Sequence, residues 1–166
     1  MPEKKTMERA RKDAREGQAP STQAGEFVRE EIDHIREGKH GARSAKQAIA
    51  IGLSKARRAG VKLAPPKKGK TSEKTRTQAA RTYAEGQKSP GRKISATRSR
   101  ATSTALKREG RRAASFSALS RQAHTSARSR GAASRRLAAH KAIRTKGVAG
   151  LRTAARKAAR TRARGR

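Results

Sequence analysis

Bulky apolar side chains are too few in this chain, and too unevenly spread, to build one core along its whole length. Val, Ile, Leu, Met, Phe and Tyr number 20 of 166 residues, and eleven of them fall in the first 64. The other 33 hydrophobic positions are alanines, which bury little area each. Leu, Ile, Val and Phe together make only 17 residues, well under the level of about 20% that marks disorder in a highly charged chain. Ordering one residue of backbone costs about 1–2 kcal/mol, and the composition beyond residue 64 offers little burial to offset it.

Charge divides the chain in a similar place. Residues 1–40 hold nine basic and nine acidic side chains, whereas residues 41–166 hold 36 basic and 3 acidic ones and so supply the whole net charge of +33. No acid follows Glu109. The expected fold is mainly α: a small helical hairpin, with three short helices as the wider version, followed by a long, largely disordered basic tail with transient helices. The divisions this implies are a short lead helix in 1–20, the hairpin module in 21–64, and a basic low-complexity tail in 65–166 that is disordered or folds on binding.

Local signals place the helices. Residues 3–16 suit a helix with Met7, Ala10 and Ala14 on one side and Gly17 as its stop, and Pro20 is expected to break the chain after it. Residues 22–37 suit a second, capped by Ser21 or Thr22 and closed by Gly38. Its apolar face is Ala24, Val28, Ile32 and Ile35, with Phe27 beside it. Glu26, Glu30, Asp33 and Glu37 form a stripe on the other side, read as a solvated face, with a dock for the basic tail or a basic partner as the sharper alternative.

Ser44-Ala45-Lys46-Gln47 fits a capping box, and Gly60 with Val61 fits a Schellman ending in which Val61 packs back on Ala56. These end signals outweigh the strand-like Ala48-Ile49-Ala50-Ile51, so 45–59 is predicted helical. Ala45, Ala48, Ile49, Gly52, Leu53, Ala56 and Ala59 share a face whose small residues would admit another helix closely. Ile51 lies off that face, for a third element, a second subunit or solvent. Only six residues, 38–43, join the two helices, hence a hairpin.

From Ala64-Pro65-Pro66 onward the composition reads as a linker and then as Ser, Ala, Arg, Lys, Thr and Gly. Glu85-Gly86-Gln87 echoes Glu16-Gly17-Gln18 and hints at a second short helix ending in Glu-Gly. Transient helices are expected before Leu106, around Phe116 to Ala123, around Ala133 to His140, and best at 148–163. There Arg152, Arg156 and Arg160 recur every four residues and repel, which phosphate would relieve. Ser89-Pro90-Gly91-Arg92-Lys93 is a poor match to a minor-groove hook.

The stretch from Ser21 to Leu63, and Lys46 to Gly60 in particular with its Lys-Gln-Ala-Ile-Ala-Ile core, resembles a small bacterial family of unknown function. That family pairs a short helical region with a Lys/Arg/Ala-rich extension, and some members are described as DNA-binding or plasmid-stabilisation proteins. The resemblance implies a bacterial origin and no mechanism.

Enzyme chemistry has no foothold in the pattern. Cysteine is absent, which removes disulfides and thiolate metal sites. His34, His40, His124 and His140 show no metal-ligand spacing, and the paired acids Glu30, Glu31 and Asp33 have no evident site around them. No catalytic residue, cofactor or metal is expected. No apolar run reaches about 18 residues, and the N-terminus lacks a signal-peptide core, so the expectation is a cytoplasmic, nucleoid- or plasmid-associated protein with no membrane partner.

What remains is phosphate binding. Basic side chains that displace counterions from a polyanion gain affinity with a salt slope near −0.9 per phosphate on duplex DNA. Three aromatics in the whole chain, Phe27, Tyr83 and Phe116, are too few for base stacking along a single strand. The expected function is non-enzymatic, sequence-nonspecific duplex DNA binding of the histone-H1-like kind. The alternatives are an RNA- or ribosome-associated protein, or a protein-interaction module localised by its tail. The candidate contacts in the module are Lys46, Lys55, Arg57 and Arg58. Those in the tail are Arg128, Arg130, Arg135, Arg136, Lys141, Arg144, Arg152, Arg156, Lys157, Arg160, Arg162 and Arg164. A homodimer through residues 22–59 is the oligomer the hairpin would allow.

Overall fold

Three glycines close the first three helices in the way their positions predict. The computed structural model describes residues 2–90 and 95–164. In it Gly17, Gly38 and Gly60 have φ of 69°, 79° and 93°, the left-handed region that glycine enters without a Cβ clash. Each follows a helix: α1 (Lys4–Arg15), α2 (Pro20–Arg36) and α3 (Ala45–Arg58). The paired hydrogen bonds of a Schellman ending are present every time. After α3 they run from Val61 N to Ala56 O and from Gly60 N to Arg57 O, both 3.1 Å. Val61 and Ala56 are buried in the same apolar cluster, which is the contact the motif requires.

The helix starts obey local chemistry with two shifts. Ser44 caps α3 by accepting from Gln47 N at 3.2 Å, but the Gln47 side chain reaches back to Arg43 N, at 2.8 Å, one residue before the cap. Pro20 does not break the chain ahead of α2; it begins the helix, at the first turn where its missing N–H costs nothing, after Ala19 and with no side-chain cap.

α2 and α3 form the expected hairpin and make its core. Ala24, Phe27, Ile32 and Ile35 of α2 are buried, as are Ala45, Ala48, Gly52 and Ala56 of α3. The small-residue face admits α2 closely: a Cβ on Gly52 would stand 2.7 Å from Val28 Cα. α1 lays Thr6 and Ala10 against this pair, with Met7 half-buried and Ala14 left exposed. Ile51 is half-buried.

The disordered tail is the expectation that the structure overturns. Residues beyond 72 form α4 (Glu73–Lys88), α5 (Ala96–Lys107), a 3-10 turn (Arg112–Ala114), α6 (Phe116–Ser129) and α7 (Gly131–Arg164). Scarce bulky residues limit a core, but a helix satisfies its backbone internally, and Ala, Arg and Lys are among the best helix formers. Thr145, Thr153 and Thr161 donate to the carbonyls of Lys141, Ala149 and Lys157 one turn back. Gly147 (φ 65°) breaks the helical path inside α7, so the 148–163 segment picked out by its pattern begins just after a real break.

Part of the supposed tail also returns to the core. Leu106 and Gly110 accept hydrogen bonds from Gly41 N and Ala42 N of the hairpin loop, at 2.9 and 3.1 Å. Ala113 and Ala114 are buried with Ile32, Ile35, Ala42 and Ala48. Arg36 donates to Ala114 O at 3.0 Å, and its guanidinium stacks 4.6 Å above the Phe116 ring centre. The Glu-Gly echo does not end a helix either. Gly86 lies inside α4, buried, where a Cβ would meet the Arg57 carbonyl oxygen at 1.8 Å. It is glycine so that α4 can pass the end of α3.

The chain divides into two compact units, Met1–Ser120 and Arg121–Arg166. The 89–93 stretch, the poor match to a minor-groove hook, lies largely outside the described residues.

Candidate functional site

The sequence candidates separate into inward and outward groups. On a helical wheel at 100° per residue, Lys55 falls about 20° from Ala48, and Glu31 about 20° from Ala24. Each charge therefore sits within the apolar face of its own helix, and packing α2 on α3 brings them together. Lys55 Nζ is 2.6 Å from Glu31 Oε2 and 3.5 Å from Glu30 Oε1. The Glu31 and Glu30 side chains are 0% and 1% exposed. Burying two unlike charges is tolerable because each desolvates beside its partner. Lys55 is committed there and does not face a ligand.

Arg57 is turned inward too. Its Nε donates to Leu63 O at 3.1 Å and Nη2 to Ala64 O at 3.4 Å, pinning the chain that leaves α3. Arg58 Nε donates to Ser54 O at 3.3 Å. Burial lowers the pKa of both guanidinium groups from the ordinary arginine value, and for Arg58 the nearby Glu85 acts the other way. Lys46 alone of the four module candidates is exposed.

The acidic stripe is largely occupied from within. Glu26 pairs with Arg9 of α1 at 2.5 Å, and Glu30 accepts from Glu3 N at 3.1 Å. Glu37 pairs with Lys39 at 2.9 Å. Glu3 in turn accepts from His34 at 2.7 Å and from Lys39 at 3.3 Å. Those two bonds, His34 first, hold the Glu3 carboxyl below its ordinary pKa of 4.5. The stripe is thus the seat of α1 more than a solvated face.

The tail candidates have the opposite character. Between residues 121 and 164 there are fourteen Lys and Arg and no acid, and all fourteen are exposed. They include every tail candidate from Arg128 to Arg164. Arg121 and Lys146 belong with them, although the sequence pattern did not single them out. Arg135 and Arg130 spend one donor each on carbonyls of Ala127 and Ser126 and keep the rest. Arg152, Arg156 and Arg160 succeed one another along one side of α7, about 6 Å of rise apart.

Residues 21–68, which take in α2, α3 and the loop after them, match a family of unknown function (DUF6496). No curated protein and no solved structure matches the chain. Among the described residues no helix is long and apolar enough to cross a membrane.

Proposed function

We propose that the protein binds nucleic acid through phosphate contacts, duplex DNA foremost, without enzymatic chemistry and without reading sequence. The observation that carries this is the exposure of all fourteen basic side chains, with no acid among them, on the helices of residues 121–164. Helices hold these cations at fixed spacing on rods; the segment from 148 to 164 is about 25 Å long. A duplex offers one phosphate per about 1.7 Å of axis, so such a rod has many to engage. The same residues contain no Phe, Tyr or Trp, which favours backbone contact over the base stacking used on single strands. Lys46 adds to this set; Lys55 and Arg57 do not.

Removing residues 121–166 tests the reading. A cut near residue 65, where composition puts the start of the tail, would take away Ala113 and Ala114 and damage the first unit's core. Residues 1–120 still carry thirty basic and twelve acidic residues, so some affinity persists. If half of the fourteen exposed cations engage, the log–log salt slope should lose about six units on deletion. An unchanged affinity and slope would refute the proposal. Stronger retention on folded RNA than on duplex DNA at matched salt would transfer the function to RNA.

A further inference from the structure

We propose that Glu31, His34 and His40 form a binding site for one divalent transition-metal ion, with zinc as the best fit to their donors. This lies outside the phosphate-binding reading and does not depend on it. The three residues obey no standard ligand spacing along the chain, so the pattern of residues does not point to them. The fold brings them together. Glu31 and His34 stand at i and i+3 on α2, on neighbouring positions of one side. The left-handed turn at Gly38 then folds the chain back and delivers His40. One ligand atom from each residue lies within 4.8 Å of the other two. His40 Nε2 is already 3.3 Å from Glu31 Oε1, close to the roughly 3.3–3.5 Å between donors of a tetrahedral zinc with bonds of about 2.0–2.2 Å.

The outer contacts suit ligation. A metal-bound histidine usually gives its other ring N–H to a carbonyl or a carboxylate, which fixes the tautomer and aims the free nitrogen. His40 Nδ1 lies 3.1 Å from Gly41 O, and His34 Nε2 lies 2.7 Å from Glu3 Oε1. With those hydrogens so placed, the lone pairs left over are on His40 Nε2 and His34 Nδ1. The two rings stand edge to face, their centres 6.1 Å apart.

Charge points independently to the same place. Glu30 and Glu31 are both buried and share the single ammonium of Lys55. Lys55 sits against Glu31 Oε2 at 2.6 Å, whereas Glu31 Oε1 has no hydrogen-bond donor among the described residues and faces His40 Nε2 at 3.3 Å. A neutral His40 bonded through Nδ1–H to Gly41 would aim its Nε2 lone pair at a carboxylate oxygen. A cation between them removes that conflict and the surplus negative charge together. A proton on His40 would satisfy one contact but gives His34 no part. An ion held by all three uses every donor, and it would tie the hairpin loop to the end of α2. Two imidazoles and one carboxylate suit zinc, cobalt and nickel better than calcium or magnesium. Three protein donors leave a fourth position for water.

The test uses the untagged full chain. Cobalt(II) titration should give visible d–d bands of four-coordinate intensity that saturate at one equivalent, and zinc should displace them. Nitrogen NMR shifts on adding zinc should fall on His34 and His40 in the wild-type protein, where no variant can mislead. His34→Asn and His40→Asn should each weaken zinc binding at least tenfold in a chelator competition while circular dichroism stays unchanged. His124→Asn with His140→Asn should bind as wild type does. Absence of stoichiometric binding at low-micromolar metal would overturn the site and leave a His40–Glu31 proton pair. Undiminished binding by the His34→Asn/His40→Asn double variant, or NMR shifts on His124 and His140 instead, would overturn it as well.

Discussion

The two units reach helical order by different routes. In the first unit, α1 to α4 are held by tertiary contact: two apolar clusters, a buried ion pair, and glycines at Gly41, Gly52 and Gly86 where backbones nearly touch. In residues 121–164 no residue is buried among those described, and Leu137, Val148 and Ile143 are exposed. There the helix rests on alanine-rich propensity. A missing core thus tells against tertiary packing and says little about helix. The contrast also explains how cations divide: the unit with an interior draws some of them in, and the unit without one leaves all of them to solvent.

The sharpest way to break this comparison is at the buried pair. Lys55→Met leaves Glu31 without its counter-charge and should destabilise the first unit by about 3–5 kcal/mol in urea unfolding. A loss below about 1 kcal/mol, the size of a surface pair, would mean that the charges are not truly interior.

Glycine to alanine should have opposite signs in the two units. Gly52→Ala forces a Cβ against Val28 backbone and should cost about 1–3 kcal/mol. Gly150→Ala meets only the Lys146 side chain, at 3.4 Å, and should raise helicity and stability by about 0.5–1 kcal/mol. Equal signs, read from circular dichroism and urea melts, would erase the distinction between packed and propensity-driven helix.

Acid supplies the smallest effect. His34 and then Lys39 hold the Glu3 carboxyl below 4.5, so their contribution is present above that pH and is lost as pH falls through the lower folded value. The midpoint difference between wild type and Glu3→Gln should therefore shrink between about pH 6 and about pH 3. Residues 121–164 contain no acidic side chain, so their helicity should not respond to carboxylate titration over that range. A parallel acid response in both units would contradict the division.

Some of the site was legible. The 22–37 and 45–59 helices, their glycine endings and the Ser44 cap are set by bonds within a few residues, and such signals survive in sequence. The wheel positions of Glu31 and Lys55, each inside an apolar face, are equally plain in the sequence. One such charge suggests a misfit, and two of opposite sign on the two arms of a hairpin suggest a buried pair. Gly86 misleads because its neighbour Glu85 repeats the Glu16-Gly17 ending, and only the passage of α4 beside Arg57 shows the real constraint.

The sequence alone determined where turns close, which faces of α2 and α3 are apolar, and that the second unit presents cations unopposed by acid, because these depend on local hydrogen bonding, helical periodicity and charge counting. Only the tertiary structure decided that Arg57 turns inward, that Ala113 and Ala114 complete the core, and that His40 meets His34 and Glu31. Those outcomes depend on how the chain folds back on itself, and are fixed by which surfaces bury each other and by the partners a desolvated charge then requires.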